Sequence, residues 1–383
     1  MKNNRKIIYW AGFLFSIPAA LTFYINSTFL STFVGEKFVG VVYTLASLCS
    51  VLALLIIPLI FRKIGGYKFL ILTTLFQALA FLALTLTKSS FDTVAVFVVG
   101  FSLNILIAFA LDEFLKISST NSTLGRVRGI YLIVCHIALI TTQFAFWIIL
   151  GTFSFRTIYF ISFAITMLFL AVSFFNLKNI QEPEYDKMGT LKYLGKFIKN
   201  KNLLRAYGIS FLLQLFYCWM IIYTPIYLSI HLGFSWRQIG IIFAFMLLPF
   251  IIIPFRLGKY GDKFGERKML MFGFIIISLS TLALFFIGWP GILVWTVGLF
   301  ITRIGAASIE VMSDAYFFKH IKPENEEYVG VYRSAFPLAY ILGPLTASMI
   351  FALVPSFNFI YVILGAIMLY GVYLSSTIRK GDV

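Results

Sequence analysis

Charge is what this chain has least of. Asp, Glu, Lys and Arg together make up 12% of its 383 residues, about half of the roughly 25% found in water-soluble domains, so a globule with a solvated outside is excluded first. Acids are the scarcer sign, 15 against 31 bases, which leaves a net charge of +16. Cysteine and histidine are also rare. Cys49, Cys135 and Cys218 each sit inside an apolar run with no metal-type spacing, so no disulfide, metal or cofactor is expected. His136, His231 and His320 lie in different regions, and there is no Gly-rich phosphate loop. A catalytic centre needs an acid, a base and a nucleophile or metal that converge, and no catalytic residue is assigned.

What the chain has instead is hydrophobic length: 60% of it is apolar. Crossing ~30 Å of hydrocarbon takes about 20 apolar residues. Twelve stretches of that kind follow one another at 7–33, 38–61, 69–87, 93–114, 127–150, 155–177, 204–232, 236–257, 269–289, 292–318, 329–354 and 357–378. Numbered 1 to 12, these spans predict an all-α, multi-pass membrane protein with membrane lipid around it. Span 1 far exceeds the roughly 7–15 residue core of a secretory signal and is expected to be retained. The bases could suggest a nucleic-acid partner, but their positions decide otherwise. With the N-terminus in the cytoplasm, 25 of the 31 Lys and Arg fall in cytoplasmic loops and tails. Only Lys37, Lys88, Arg156 and Arg237 fall outside, and Arg303 and Arg333 lie within spans. Such an excess marks the cytoplasmic side, so both termini are expected there, in the cell membrane, and no nucleic acid is expected.

The chain also repeats itself. Gly40 matches Gly240, Lys63 matches Lys263, Gly65 matches Gly265, Lys68 matches Lys268 and Leu70 matches Leu270, each 200 residues apart; Gly129 with Gly330 and Tyr131 with Tyr332 are 201 apart. Duplicated helical bundles are a common plan among transporters. The organisation expected is two pseudo-symmetric six-helix bundles, 1–177 and 204–383, joined by a polar cytoplasmic linker at 178–203. In that linker Leu191, Leu194 and Ile198 follow an i, i+3, i+7 pattern, with Lys192, Lys196 and Lys199 largely elsewhere. Such a helix either lies on an anionic leaflet or is a solvated connector.

The segment joining spans 8 and 9 carries Gly258, Asp262, Lys263, Gly265, Arg267 and Lys268. It resembles the signature loop of the major facilitator superfamily, G-x-x-x-D-[RK]-x-G-x-[RK]-[RK], at every fixed position. The corresponding loop between spans 2 and 3 keeps Lys63, Gly65 and Lys68 but has Pro58, Arg62 and Tyr67 where the pattern has Gly, an acid and a base. The resemblance covers essentially the whole chain and specifies no substrate. It implies two six-helix bundles whose spans 1, 4, 7 and 10 line a central cavity that opens alternately to each side. It also implies that the loop acid contacts the cytoplasmic start of span 11 or, by pseudo-symmetry, of span 5. Asp262 would then face Arg126 and Arg128, while the substituted Arg62 would face Glu324, Glu326 and Glu327. The signs are complementary in both places, and the pairs are expected to form a cytoplasmic gate that favours an outward-open state. Basic loops that simply attract acids would produce the same pattern.

Span 10 contains three ionisable residues, Arg303, Glu310 and Asp314, which helical geometry puts within about 20° of one line. An ionised side chain near the bilayer centre costs roughly 2.5–3.5 kcal/mol, so such residues face a bundle interior or a wet cavity. Arg333 in span 11 has a depth similar to Asp314 and is its expected ion-pair partner. Glu310 lies two turns, about 10 Å, from Arg303; it is read as the site of a coupling proton, with Arg303 tuning it or binding an anionic substrate group. A static Arg–Glu network is the alternative. Asn26, Asn104, Gln214 and Tyr217 are in spans that the resemblance makes cavity-lining, and His136 and Gln143 share one face of span 5. Each serves either a substrate pathway or an interhelical hydrogen bond. Spans 3, 6, 9 and 12 have no charged residue in their cores, as suits an outer ring against lipid.

The function expected is a secondary active transporter moving a small-molecule solute by alternating access, with a proton as coupling ion, acting as a monomer. A lipid flippase or a non-transporting sensor on the same scaffold is the alternative, and a polytopic membrane enzyme a remote one, because fold does not fix function. The gate supplies a test. Transport lost in Arg62→Glu is expected to return in part when Glu326→Arg and Glu327→Arg are added; no recovery would end the gate reading.

Overall fold

The computed structural model describes residues 2–118, 124–150, 154–178, 190–253, 265–321 and 327–378. Among the described residues the chain is helices and turns, with no strand. Eleven helices among the described residues are long and apolar enough to cross a membrane, and a shorter apolar one, Ile130–Ala145, lies in span 5. Hydrocarbon supplies no hydrogen bonds, so a spanning segment must satisfy its own backbone, which a helix does. Lys2–Phe23, at 22 residues, is about 33 Å long, enough for the ~30 Å core.

Several spans are less continuous than their hydropathy. Span 1 consists of Lys2–Phe23 and Asn26–Val34. The break follows Pro18, and the Thr22 hydroxyl donates back to the Pro18 carbonyl at 3.0 Å. Span 7 runs as an α-helix over Lys201–Ile226 and widens into a π turn at Tyr227–His231, just after Pro225. Span 11 is divided at Ser334 into Glu327–Arg333 and Ala335–Phe351. Apolar runs could not show these breaks, since they interrupt the hydrogen-bond ladder without adding polarity.

The chain divides into two compact units, Met1–Met188 and Gly189–Val383. In the first, span 1 packs on spans 5 and 6, span 3 on spans 4 and 6, and span 2 on span 4. In the second, span 7 packs on spans 11 and 12, span 9 on spans 10 and 12, and span 8 on span 10. The same pairings recur six spans later. Lipid tails are as apolar as Leu, so these contacts rest on close packing and hydrogen bonds rather than on the hydrophobic effect.

The repeat extends to single bonds. Arg156, at the start of span 6, donates through Nη2 at 3.1 Å to the carbonyl of Thr87, the residue that follows the helix of span 3. Asn358, at the start of span 12, donates through Nδ2 at 3.2 Å to the carbonyl of Phe285, the residue that follows the helix of span 9. Each closes a carbonyl that the end of a helix leaves without a partner. The matched glycines agree as well: Gly65 has φ 82° and ψ 156°, and Gly265 has φ 78° and ψ 152°. That region is essentially restricted to glycine, which explains why the signature loop keeps one at both sites.

The linker helix, Thr190–Lys199, packs against span 7 and the first part of span 11. Its anchor is Phe197, 1% exposed, whose ring meets those of Tyr207 and Tyr328 at 6.1 and 5.8 Å. Ile198, which the sequence pattern put on the apolar face, is 52% exposed. The pattern counted aliphatic residues and left out the aromatic one next to them. The side chains of Leu191, Lys192 and Leu194 lie outside the described residues.

Gly265→Ala is expected to destabilise the protein by about 1–3 kcal/mol, because the strain is in the backbone and no atom stands within 4 Å of the added carbon. Gly195→Ala, in the open on the linker helix, is expected to add up to about 1 kcal/mol. Thermal unfolding of both variants in detergent checks the pair.

Candidate functional site

Span 7 is the most enclosed helix: 83% of its most apolar stretch is buried, against 33–50% for the other long spans. Within the second unit, spans 10, 11 and 12 surround it. Two bonds fix it to span 11, from Trp219 Nε1 to the Gly343 carbonyl at 2.7 Å and from the Tyr223 hydroxyl to the Pro344 carbonyl at 3.3 Å. Both acceptors lie at or next to Pro344 of span 11.

Against this helix span 10 sets its ionisable stripe. The Tyr217 hydroxyl donates to Glu310 Oε2 at 2.9 Å. Arg303 is 2% exposed, with Cζ 5.3 Å from the centre of the Phe216 ring and 5.8 Å from that of Tyr217. Its Nε and Nη1 have no hydrogen-bond partner among the described residues. Tyr217 thus touches both charged groups, holding Glu310 by its hydroxyl and Arg303 by its ring, and Phe250 of span 8 packs against it at 6.1 Å. The sequence reading set Glu310 apart from cations and missed this tyrosine link.

The back of span 10 is fixed by glycine. Gly305, two residues after Arg303 and so on the opposite face, lies so close to span 9 that an added Cβ would stand 2.7 Å from the Gly273 carbonyl oxygen and 2.8 Å from the Ile277 nitrogen. Close backbone approach at small residues is how membrane helices pack most tightly, and here it sets which way the stripe points. Further along, the Tyr332 hydroxyl donates to Asp314 Oδ1 at 3.0 Å and lies 2.9 Å from Ser313 Oγ. Arg333 Nη2 is 3.6 Å from Asp314 Oδ2, with the two side chains 45% and 38% exposed. Such exposed pairs contribute ~0–1 kcal/mol, so the tyrosine positions Asp314 more firmly than the arginine does.

The remaining expected site residues separate. Asn26, which begins the second piece of span 1, accepts from the Tyr159 hydroxyl at 2.7 Å. Gln143 is fully buried and donates to the Ala20 carbonyl at 2.7 Å, just before the break in span 1. His136 is exposed, so the two polar residues of span 5 have different surroundings. Asn104 and Gln214 are half-buried. Of the expected gate, Gly258, Asp262, Lys263 and Glu326 lie outside the described residues, as do the side chains of Arg62, Arg126, Arg128 and Glu327; Lys63, Arg267 and Lys268 are exposed. One pair near the signature loop was missed: buried Glu266 at the start of span 9 binds Lys319 at the end of span 10. Antiparallel neighbours bring those ends together, which was the available clue.

Membrane-length helices, with a buried arginine and a half-buried glutamate of one span packed against its neighbour, define a polytopic membrane protein. The sequence matches the family model of the Major Facilitator Superfamily over residues 8–325 and 209–380, and the chain belongs to that family. No curated protein matches the chain. Among solved structures it is similar to the nucleoside transporter NupG, with a TM-score of 0.77, 10% identity, and 97% of this chain and 98% of that one covered. It is also similar to the POT family transporter PepTSo, at 0.76 and 10%, covering 98% and 97%. A bacterial homolog to the human lysosomal transporter Spinster gives 0.71 and 12%, covering 97% and 94%. These TM-scores over nearly the whole chain establish the fold, and the family with its transporter neighbours points to a secondary transporter of small molecules rather than an enzyme.

Gly305→Ala is expected to force spans 9 and 10 apart and to destabilise the protein by about 1–3 kcal/mol. Thermal unfolding measures it; a melting temperature equal to that of the parent protein would show that the contact has slack.

Proposed function

We propose that the chain is a proton-coupled secondary transporter that works as a monomer in the cell membrane, with both termini in the cytoplasm, and that Glu310 carries the coupling proton. The observation that carries this reading is the Tyr217–Glu310 hydrogen bond beside buried Arg303. A carboxylate that must gain and lose a proton in each cycle needs a partner that serves both forms. A tyrosine hydroxyl donates to the ionised form and accepts from the protonated one, so Glu310 can change charge without losing its contact. An arginine in that place would lock it ionised.

Arg303, Tyr217 and Glu310 form the coupling group, and Asp314 and Arg333 with Tyr332 steady the lower part of spans 10 and 11. Asn26, Asn104, Gln143, His136 and Gln214 are proposed to line the solute pathway or to support the helices that do. Alternating access would move the two halves about this pathway, and the charge pairs expected from Arg62, Arg126, Arg128, Asp262, Glu326 and Glu327 would bias its cytoplasmic side. The transporters similar in fold support the general class and leave the solute open.

Glu310→Gln in proteoliposomes is expected to abolish accumulation of solute driven by an imposed pH difference, while solute–solute counterflow continues at a comparable rate. Accumulation at the parental level would remove Glu310 from the coupling role.

A further inference from the structure

Arg303 presents a physical problem. A guanidinium is a permanent charge, that of Arg303 is 2% exposed, and two of its nitrogens have no hydrogen-bond partner among the described residues. Leaving a buried charge without a partner is strongly unfavourable, and two ring faces at 5.3 and 5.8 Å recover only part of that cost. An arrangement that costs stability and persists marks a binding position whose counter-charge arrives with the ligand.

Building on the transporter reading, we propose that Arg303 receives the anionic group of the solute and that this group is a carboxylate. The rings of Phe216 and Tyr217 lie against the guanidinium carbon, and Nε and Nη1 carry no hydrogen-bond partner among the described residues. A guanidinium matches a planar carboxylate with two parallel N–H···O bonds along one of its edges. Tyr217 connects this position to Glu310 through its hydroxyl. A negative solute at Arg303 therefore favours a proton on Glu310, and the proton favours the solute, since linkage works equally in both directions. Two unit charges about 10 Å apart at an effective dielectric constant near 20 affect one another's binding by roughly tenfold to twentyfold.

Few other groups compete for this role in the second unit. Span 7 contributes Tyr217 and the buried Cys218 next to it. Span 8 has no ionisable residue between Arg237 and Ile253, and span 9 has none between Lys268 and Leu284. Glu266 is already paired with Lys319, which lies nine residues beyond Glu310, about 13 Å along the helix.

The test uses the full chain in detergent and reads melting temperature at pH 5.5 and 7.5. The probes are benzoate, hexanoate, lactate and succinate, each with its neutral amide, and phenyl phosphate and inorganic phosphate as the other source of negative charge. At least one carboxylate is expected to raise the melting temperature, more at the lower pH, while its amide and the phosphates do not. Arg303→Lys and Arg303→Met are expected to weaken that carboxylate by roughly ten- to a hundredfold. Without any ligand, Arg303→Met is expected to melt higher than the parent protein, because it removes a buried charge. A lower melting temperature for that variant, amides or phosphates that act as well as the acids, or no effect of any acid would overturn the proposal. Uptake in proteoliposomes separates the two readings. Carboxylate binding that depends on Arg303 without any response of uptake to a pH difference would keep this site and end proton coupling; gradient-driven uptake of a neutral solute would do the reverse.

Discussion

Hydrocarbon offers a peptide group no hydrogen bond, and the places where this chain departs from plain helix are organised by that deficit. Where span 1 breaks, Thr22 turns back on the Pro18 carbonyl and Gln143 reaches across to that of Ala20. Beside Pro344 in span 11, Trp219 and Tyr223 of span 7 donate to the Gly343 and Pro344 carbonyls. At the ends of spans 3 and 9, Arg156 and Asn358 close the exposed carbonyls. Side chains thus bond backbone carbonyls at or beside these places, and all of these bonds except that of Thr22 also tie one helix to its neighbour.

The same deficit makes charge informative. Asp314, Arg333, Glu266 and Lys319 all have partners near span ends, where water and headgroups are close and the cost of charge is small. Arg303 and Glu310 lie deeper in span 10 and are handled differently: one is stacked on rings, the other is tied to a neutral hydroxyl. Charge meets charge near the span ends, and rings and a hydroxyl meet the two mid-span groups.

The fold was largely legible in the sequence because its two strongest signals are additive. Apolar length repeated twelve times and a 200-residue register between Gly65 and Gly265 survive many local irregularities. The site was legible only in outline. Helical periodicity put Arg303, Glu310 and Asp314 on one stripe, but nothing in span 10 says which face of span 7 it meets, so the roles of Tyr217 and Phe216 depended on the relative rotation of two helices. Phe197 was overlooked for a related reason. Among so many phenylalanines a single buried ring has no distinguishing mark until its neighbours, Tyr207 and Tyr328, are in place.

The contact of Gly305 with the backbone of span 9 limits how this unit can move. A helix seated on another with no side chain between them cannot roll about its own axis without collision. At this contact spans 9 and 10 resist rolling independently, and a change in the direction that Arg303 faces would require the pair to tilt or slide together.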